Sequence, residues 1–158
     1  MKLTLLVVGR TAQKEYVTLI DDYIKRLEHT QLPLEIKVIP ELKNTKNLSQ
    51  SQQKEKEGAL ILKAIQPGDH VVLLDEHGKT FRSIEFSNYL EKKMNVVPKQ
   101  MVCVIGGPYG FSPEVYEVAN DKISLSKMTL SHQMIRLLFV EQVYRAITIL
   151  QGGPYHHE

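Results

Sequence analysis

Three short segments of the chain are apolar at odd and even positions alike: residues 3–8, 71–74 and 101–105. Successive side chains of a β-strand point to opposite faces, so strands of this kind must be covered on both sides. Between them lie stretches long enough for helices, with apolar side chains at three-and-four spacing. Doubly covered strands alternating with helices specify an α/β domain with a mainly parallel sheet. The 158 residues suffice for a single domain, 1–158.

Local patterns fix the other elements. Tyr16, Val17, Ile20, Tyr23, Ile24 and Leu27 fall on one helical face. Leu34, Ile36 and Val38 alternate with Glu35 and Lys37, as in a half-exposed edge strand, and Pro40 closes it. Ser49 and Gln52 have the spacing of a capping box at a helix start. No apolar side chain occurs from Gln50 to Glu57, so two turns of that helix are expected in solvent. The Lys54-Glu55-Lys56-Glu57 run then reads as a solvated face, with burial beginning around Ala59, Ile61, Leu62 and Ile65. Residues 75–79 read as a loop, 83–94 as a short helix and 122–125 as a short strand. Ser112-Pro113-Glu114 supplies an N-cap, a proline at the first helical position and an acid in the first turn.

Composition narrows the function classes. Twenty Lys and Arg against eighteen Asp and Glu leave a formal net charge of +2, which neither announces nor excludes a local nucleic-acid patch. A single cysteine, Cys103, excludes a disulfide framework and a Cys-rich zinc site, and no metal is expected. The apolar run near the N-terminus is too short for a signal-peptide core, and no run spans a bilayer. A cytoplasmic protein without membrane contact is the expectation.

In open α/β sheets, ligands bind beyond the carboxyl ends of the strands. Three segments reach that edge: Leu74-Asp75-Glu76, the turn Gly106-Gly107-Pro108-Tyr109-Gly110, and residues 125–130. The glycine turn lacks the Gly-Lys-Ser/Thr of a P-loop and the spacing of a dinucleotide fingerprint. It reads equally as a backbone cradle for a ligand and as a tight strand-to-helix turn. Tyr109 and Phe111 on it can cover an aromatic ligand or simply pack.

The last helix, 131–150, is apolar at every azimuth. Met134, Leu138 and Ile149 lie on one side; Phe139, Ala146 and Leu150 lie nearly opposite. One sheet face cannot cover both sides, so a second copy in a two-fold homodimer is expected. Glu141 and Arg145 have the spacing of an internal ion pair. The terminal residues 151–158 place Tyr155, His156 and His157 beyond a Gly152-Gly153-Pro154 hinge. Such a tail is either frayed or a flexible functional segment that delivers Tyr and His chemistry.

Four blocks resemble, in order, the signature of the bacterial ribosomal RNA large-subunit methyltransferase H family. They are Ile105-Gly106-Gly107-Pro108-x-Gly110, Leu125-Ser126-Lys127-Met128-Thr129-Leu130-x-His132, Glu141-Gln142-x-Tyr144-Arg145-Ala146 and Pro154-Tyr155-His156. Lys56-Glu57-Gly58 and the opening strand fit as well, so the resemblance covers the whole chain. It implies a SPOUT-class α/β fold whose C-terminal segment threads a trefoil knot, a rare exception to un-knotted topology. It implies a homodimer that transfers a methyl group from S-adenosyl-L-methionine to N3 of a pseudouridine in large-subunit ribosomal RNA, on assembled ribosomes. The implied cofactor contacts are Leu74, Gly106, Leu125, Ser126, Lys127, Met128, Thr129 and Leu130. Tyr155, His156 and His157 are implied against the RNA substrate.

The N3 nitrogen carries a proton that must leave, so a base is needed. His156 and His132 are the candidates, with Tyr155 stacking on or orienting the target base. A helix N-terminus disfavours added positive charge, which suits His132 to that role. The resemblance departs at one position: the family follows Tyr-His with Arg or Lys, and His157 stands there without a permanent charge. Three alternatives remain at this level: a knotted methyltransferase acting on transfer RNA ribose, a non-catalytic dimer that binds nucleotide or ribosome, and a flavodoxin-like fold that binds a phosphorylated ligand through the glycine turn, against which stands the lack of a phosphate-lysine motif.

Overall fold

The computed structural model describes all residues, 1–158. The three doubly apolar segments lie in the centre of a five-stranded sheet. Its strands are β1 (Lys2–Val8), β2 (Leu34–Ile39), β3 (His70–Thr80), β4 (Gln100–Ile105) and β5 (Asp121–Ser124), in the order β2-β1-β4-β3-β5. Every pairing is parallel. The helices are α1 (Lys14–Leu27), α2 (Gln50–Ala64), α3 (Ser83–Val96), α4 (Pro113–Val118) and α5 (His132–Leu150).

Strand parity divides the core in two. Leu3, Leu5, Val7, Val72, Met101, Cys103 and Ile105 face the layer of α1, α3 and α5. Leu6, Val71, Leu73, Val102 and Val104 face the layer of α2 and α4. Each fully buried Leu, Val or Phe contributes about 1.5–3 kcal/mol of transfer free energy, so covering both faces outweighs the cost of ordering the strands. In α5, Phe139, Val140, Val143, Ala146 and Ile147 are buried against the sheet. Met134, Leu138 and Ile149, on the opposite side, stay half-buried and outside that core.

Several local expectations need correction. Residues 75–79 are not a free loop: β3 runs on through a register shift, and Lys79 and Thr80 pair with Ile123 and Ser124 of β5. Gly78 makes this possible, since a Cβ there would lie 2.6 Å from the Ile123 amide nitrogen. The capping box of α2 is present as read, with the Gln52 amide donating to Ser49 Oγ at 3.1 Å and the Ser49 amide donating to Gln52 Oε1 at 2.9 Å. Its second turn is not wholly solvated, however. Glu57 and Gly58 are buried, while Ala59 is exposed. Val17 and Val38, read as inward, are both exposed: α1 buries only Ile20 and Leu27, and β2 is an edge strand.

The last helix is tied to the end of the first strand. The buried Arg136 guanidinium donates to the carbonyls of Val8 (2.8 Å) and Gly9 (2.9 Å) and to Thr11 Oγ1 (3.1 Å). Gln133 accepts from the Ala12 amide at 2.7 Å. These bonds set the N-terminus of α5, and with it His132, at the carboxyl edge of the sheet.

Candidate active site

A cavity of about 770 Å³ opens at that carboxyl edge. Its walls come mainly from the segments that topology singled out: Leu74 to His77 after the buried part of β3, Ile105 to Phe111 after β4, and residues 124–132 without Lys127; Gln50 and Lys54 of α2 and Tyr116 of α4 also line it. Leu74, Ile105, Leu125, Leu130 and Ile135 give it an apolar floor, and the glycine turn gives it exposed backbone. That combination suits a flat heteroaromatic ligand held by peptide groups.

Hydrogen bonds among the lining residues brace the walls. Ser124 Oγ donates to the Ser126 carbonyl at 2.8 Å, and Ser126 Oγ accepts from the Met128 amide at 2.9 Å, which fixes the 124–128 turn. Thr129 Oγ1 donates to Glu76 across the mouth at 3.2 Å. The Tyr116 hydroxyl donates to Asp75. Burial alone would raise the Asp75 carboxyl, but the bonds from Tyr116 and the His77 amide outweigh it and hold it below the usual range. Burial and the Asp75 charge push the Tyr116 phenol up to about 12.

Of the eight residues implied to hold the cofactor, seven line this cavity: Leu74, Gly106, Leu125, Ser126, Met128, Thr129 and Leu130. Lys127 is exposed and lies outside the lining. His132, the first residue of α5, is exposed and on the cavity wall. Tyr155, His156 and His157 do not line it. Tyr109 stands half in solvent at the mouth, whereas Phe111 is packed in the core.

The tail lies folded against α5, around Glu141 and Arg145. The expected ion pair is there, with Arg145 Nη2 2.7 Å from Glu141 Oε1. The same carboxylate oxygen accepts from the Tyr155 hydroxyl at 3.0 Å. The Tyr23 hydroxyl is also 3.0 Å from that of Tyr155, and burial together with these bonds raises the Tyr155 phenol. The Tyr155 ring meets Tyr144 edge-on at 4.8 Å and lies 4.7 Å from the Arg145 guanidinium. Arg145 Nη1 donates to His156 Nδ1 at 3.2 Å. Arginine cannot accept, so the ring proton of neutral His156 belongs on Nε2, a buried atom without a partner. His157 is exposed.

Within one chain, the tail and the cavity are apart. Thirteen helical steps of about 1.5 Å put Arg145, which carries His156, roughly 20 Å along α5 from His132.

Sequence reasoning missed the contributions of Gln50, Lys54, Tyr116 and Ile135 to the lining, and a residue behind it. Glu57 accepts from the Gly107 amide at 2.8 Å and is 5% exposed. Burial raises its carboxyl, with the Gly107 amide acting in the opposite sense. The Lys56-Glu57-Gly58 block was the available signal, but its charge pattern pointed to solvent.

Residues 1–156 match the family described as "Predicted SPOUT methyltransferase". A protein of Phocaeicola vulgatus named ribosomal RNA large subunit methyltransferase H is 68% identical over 100% of both chains. Proteins of the same name from Bacteroides thetaiotaomicron and Flavobacterium psychrophilum are 68% and 56% identical, again over 100% of both chains. Among solved structures, a probable methylase family protein from Haemophilus influenzae Rd KW20 superposes with a TM-score of 0.55 at 13% identity, covering 95% of this chain and 66% of that one. That likeness concerns the fold alone. With a family match over nearly its whole length, and relatives of this similarity, the chain belongs to the SPOUT methyltransferases.

Proposed function

We propose that the protein methylates N3 of a pseudouridine in large-subunit ribosomal RNA on assembled ribosomes, with S-adenosyl-L-methionine as donor, as a cytoplasmic homodimer. The cavity carries this reading: an apolar floor and exposed glycine-turn peptides fit an adenosine, and full-length relatives bear the ribosomal RNA methyltransferase name. Leu74, Gly106, Leu125, Met128 and Leu130 would hold the donor, with Ser126 and Thr129 shaping the wall and Lys127 at its outer edge. When bound, the donor supplies an electrophilic methyl on a sulfonium, so the transfer is a displacement that needs no metal.

The protein's own work is to position the target, exclude water and receive a proton. His132, on the cavity wall, receives the N3 proton. His156, with Nδ1 occupied by Arg145, offers its Nε2–H to a carbonyl of the target base once RNA binding uncovers that buried atom. Tyr155, set edge-on to Tyr144 and bonded to Glu141, gives the base a stacking partner. His157 faces the RNA backbone.

These two groups of residues meet through a second copy. Antiparallel packing of two α5 helices about a two-fold axis, along Met134, Leu138 and Ile149, carries each tail toward the other chain's His132. Calorimetric titration with S-adenosyl-L-methionine is expected to show one donor site per chain. Mass spectrometry of ribosomal RNA, from ribosomes lacking the modification and incubated with protein and donor, should then show one added methyl at a pseudouridine. Donor binding without RNA methylation would overturn the substrate assignment.

A further inference from the structure

Glu57 is the only carboxylate among the buried side chains. Burying a carboxylate is costly unless it is compensated, and its hydrogen bond here is to a neutral amide, that of Gly107. The sequence goes to some length to place it. Gly58, its neighbour, lets α2 approach Ser112, the N-cap of α4, so closely that a Cβ would collide with the Ser112 hydroxyl. Gly107 is packed so tightly against Glu57 that a Cβ there would collide with both carboxylate oxygens.

The amide that Glu57 holds belongs to the peptide joining Gly106 to Gly107. In a trans peptide the N–H and C=O point in opposite directions, so fixing one fixes the other. Neither flanking residue has a Cβ to resist rotation of that peptide. A single external bond therefore decides which way the Gly106 carbonyl points in a wall of the cavity.

We propose that Glu57 is a positioning residue for methyl-donor binding: by holding the Gly107 N–H, it fixes the Gly106–Gly107 peptide and hence the acceptor that Gly106 offers to the ligand. This rests on the reading of the cavity as the donor site. Glu57 does not touch the ligand, and its contribution belongs to binding rather than to the chemical step.

Glu57→Ala is expected to raise the dissociation constant for S-adenosyl-L-methionine about 10–100-fold, the range for losing one hydrogen bond to a charged group. At saturating donor and ribosomes, kcat should stay within about threefold of wild type. Glu57→Gln retains an acceptor and should restore affinity to within about threefold. Gly107→Ala leaves Glu57 and α2 intact but forces the carboxylate away, and should copy the affinity loss of Glu57→Ala even if that variant fails to fold. Amide hydrogen exchange of residues 106–111 in the ligand-free protein should quicken in Glu57→Ala and Gly107→Ala, and not in Glu57→Gln. Wild-type affinity in Glu57→Ala or Gly107→Ala, or a Glu57→Gln variant as impaired as Glu57→Ala, would overturn the proposal. If the wild-type protein does not bind the donor, the reading of the cavity fails, while the exchange rates still decide whether Glu57 holds the turn.

Discussion

Asp121 shows how one side chain can serve stability at the sheet edge remote from the cavity. It accepts from Tyr89 (2.9 Å) and His70 (3.0 Å) and pairs with Lys93 (2.8 Å). Burial alone would raise its carboxyl, but these three partners outweigh burial and pull it down to about 2. A carboxyl depressed in the folded state stabilises the fold above its ordinary value of 3.8, and that stability is lost as the pH falls through about 2. Because the group is about a third exposed, the effect is on the order of 1 kcal/mol. Urea melts of Asp121→Asn should lose this pH dependence between about pH 4 and 2 and keep donor binding. Gly106 is a different case. A Cβ there would stand 3.0 Å from the Phe111 ring, so the conflict in Gly106→Val comes from the ring and the cavity. That variant should fold but show no thermal stabilisation by S-adenosyl-L-methionine; stabilisation equal to wild type would remove Gly106 from the donor wall.

At the scale of elements, α5 separates two demands that its sequence mixes. Phe139 is fully buried beneath the helix, whereas Leu138 lies on the half-buried outer side. Phe139→Glu should therefore unfold the domain, while Leu138→Glu should give a folded monomer by sedimentation, inactive on ribosomes. A folded, active Leu138→Glu monomer would dismiss the two-fold packing. The apolar periodicity of α5, the Ser49–Gln52 capping box and the double coverage of β1, β3 and β4 were all legible in the sequence, because each is a local pattern with one physical solution. The extension of β3 past Leu74 was not. Asp75, Glu76 and His77 read as loop residues, and the partner that holds Lys79 and Thr80 is more than forty residues away. Glu57 was illegible for the same reason: its burial is set by the close approach of α2 to α4 at Gly58. The seven cavity residues were placed by resemblance and by the carboxyl-edge rule together, and neither revealed how far the tail lies from them in one chain.

For the molecule as a whole, the proposed function assigns donor binding, dimer contact and substrate handling to different regions. The cavity walls follow β3, β4 and β5, the outer side of α5 is where the proposed second copy would pack, and the tail rests on Glu141 and Arg145. Deleting residues 154–158 should abolish methyl transfer to ribosomes while leaving the dimer and most donor affinity intact. His132→Ala should lower kcat about 10²–10⁴-fold, whereas His156→Ala should chiefly raise the KM for ribosomes. A truncated protein with full turnover would remove the tail from the reaction. The sheet order has a further consequence during synthesis. Lys2 of β1 pairs with Gln100 of β4, and at 5–20 residues per second about 5–20 s separate their translation. For that interval the apolar β1 has no neighbour on that side, and its end stays untied until Arg136 follows. The nascent chain therefore lacks the carboxyl-edge cavity for most of its synthesis, and that cavity forms only as the last third of the chain arrives.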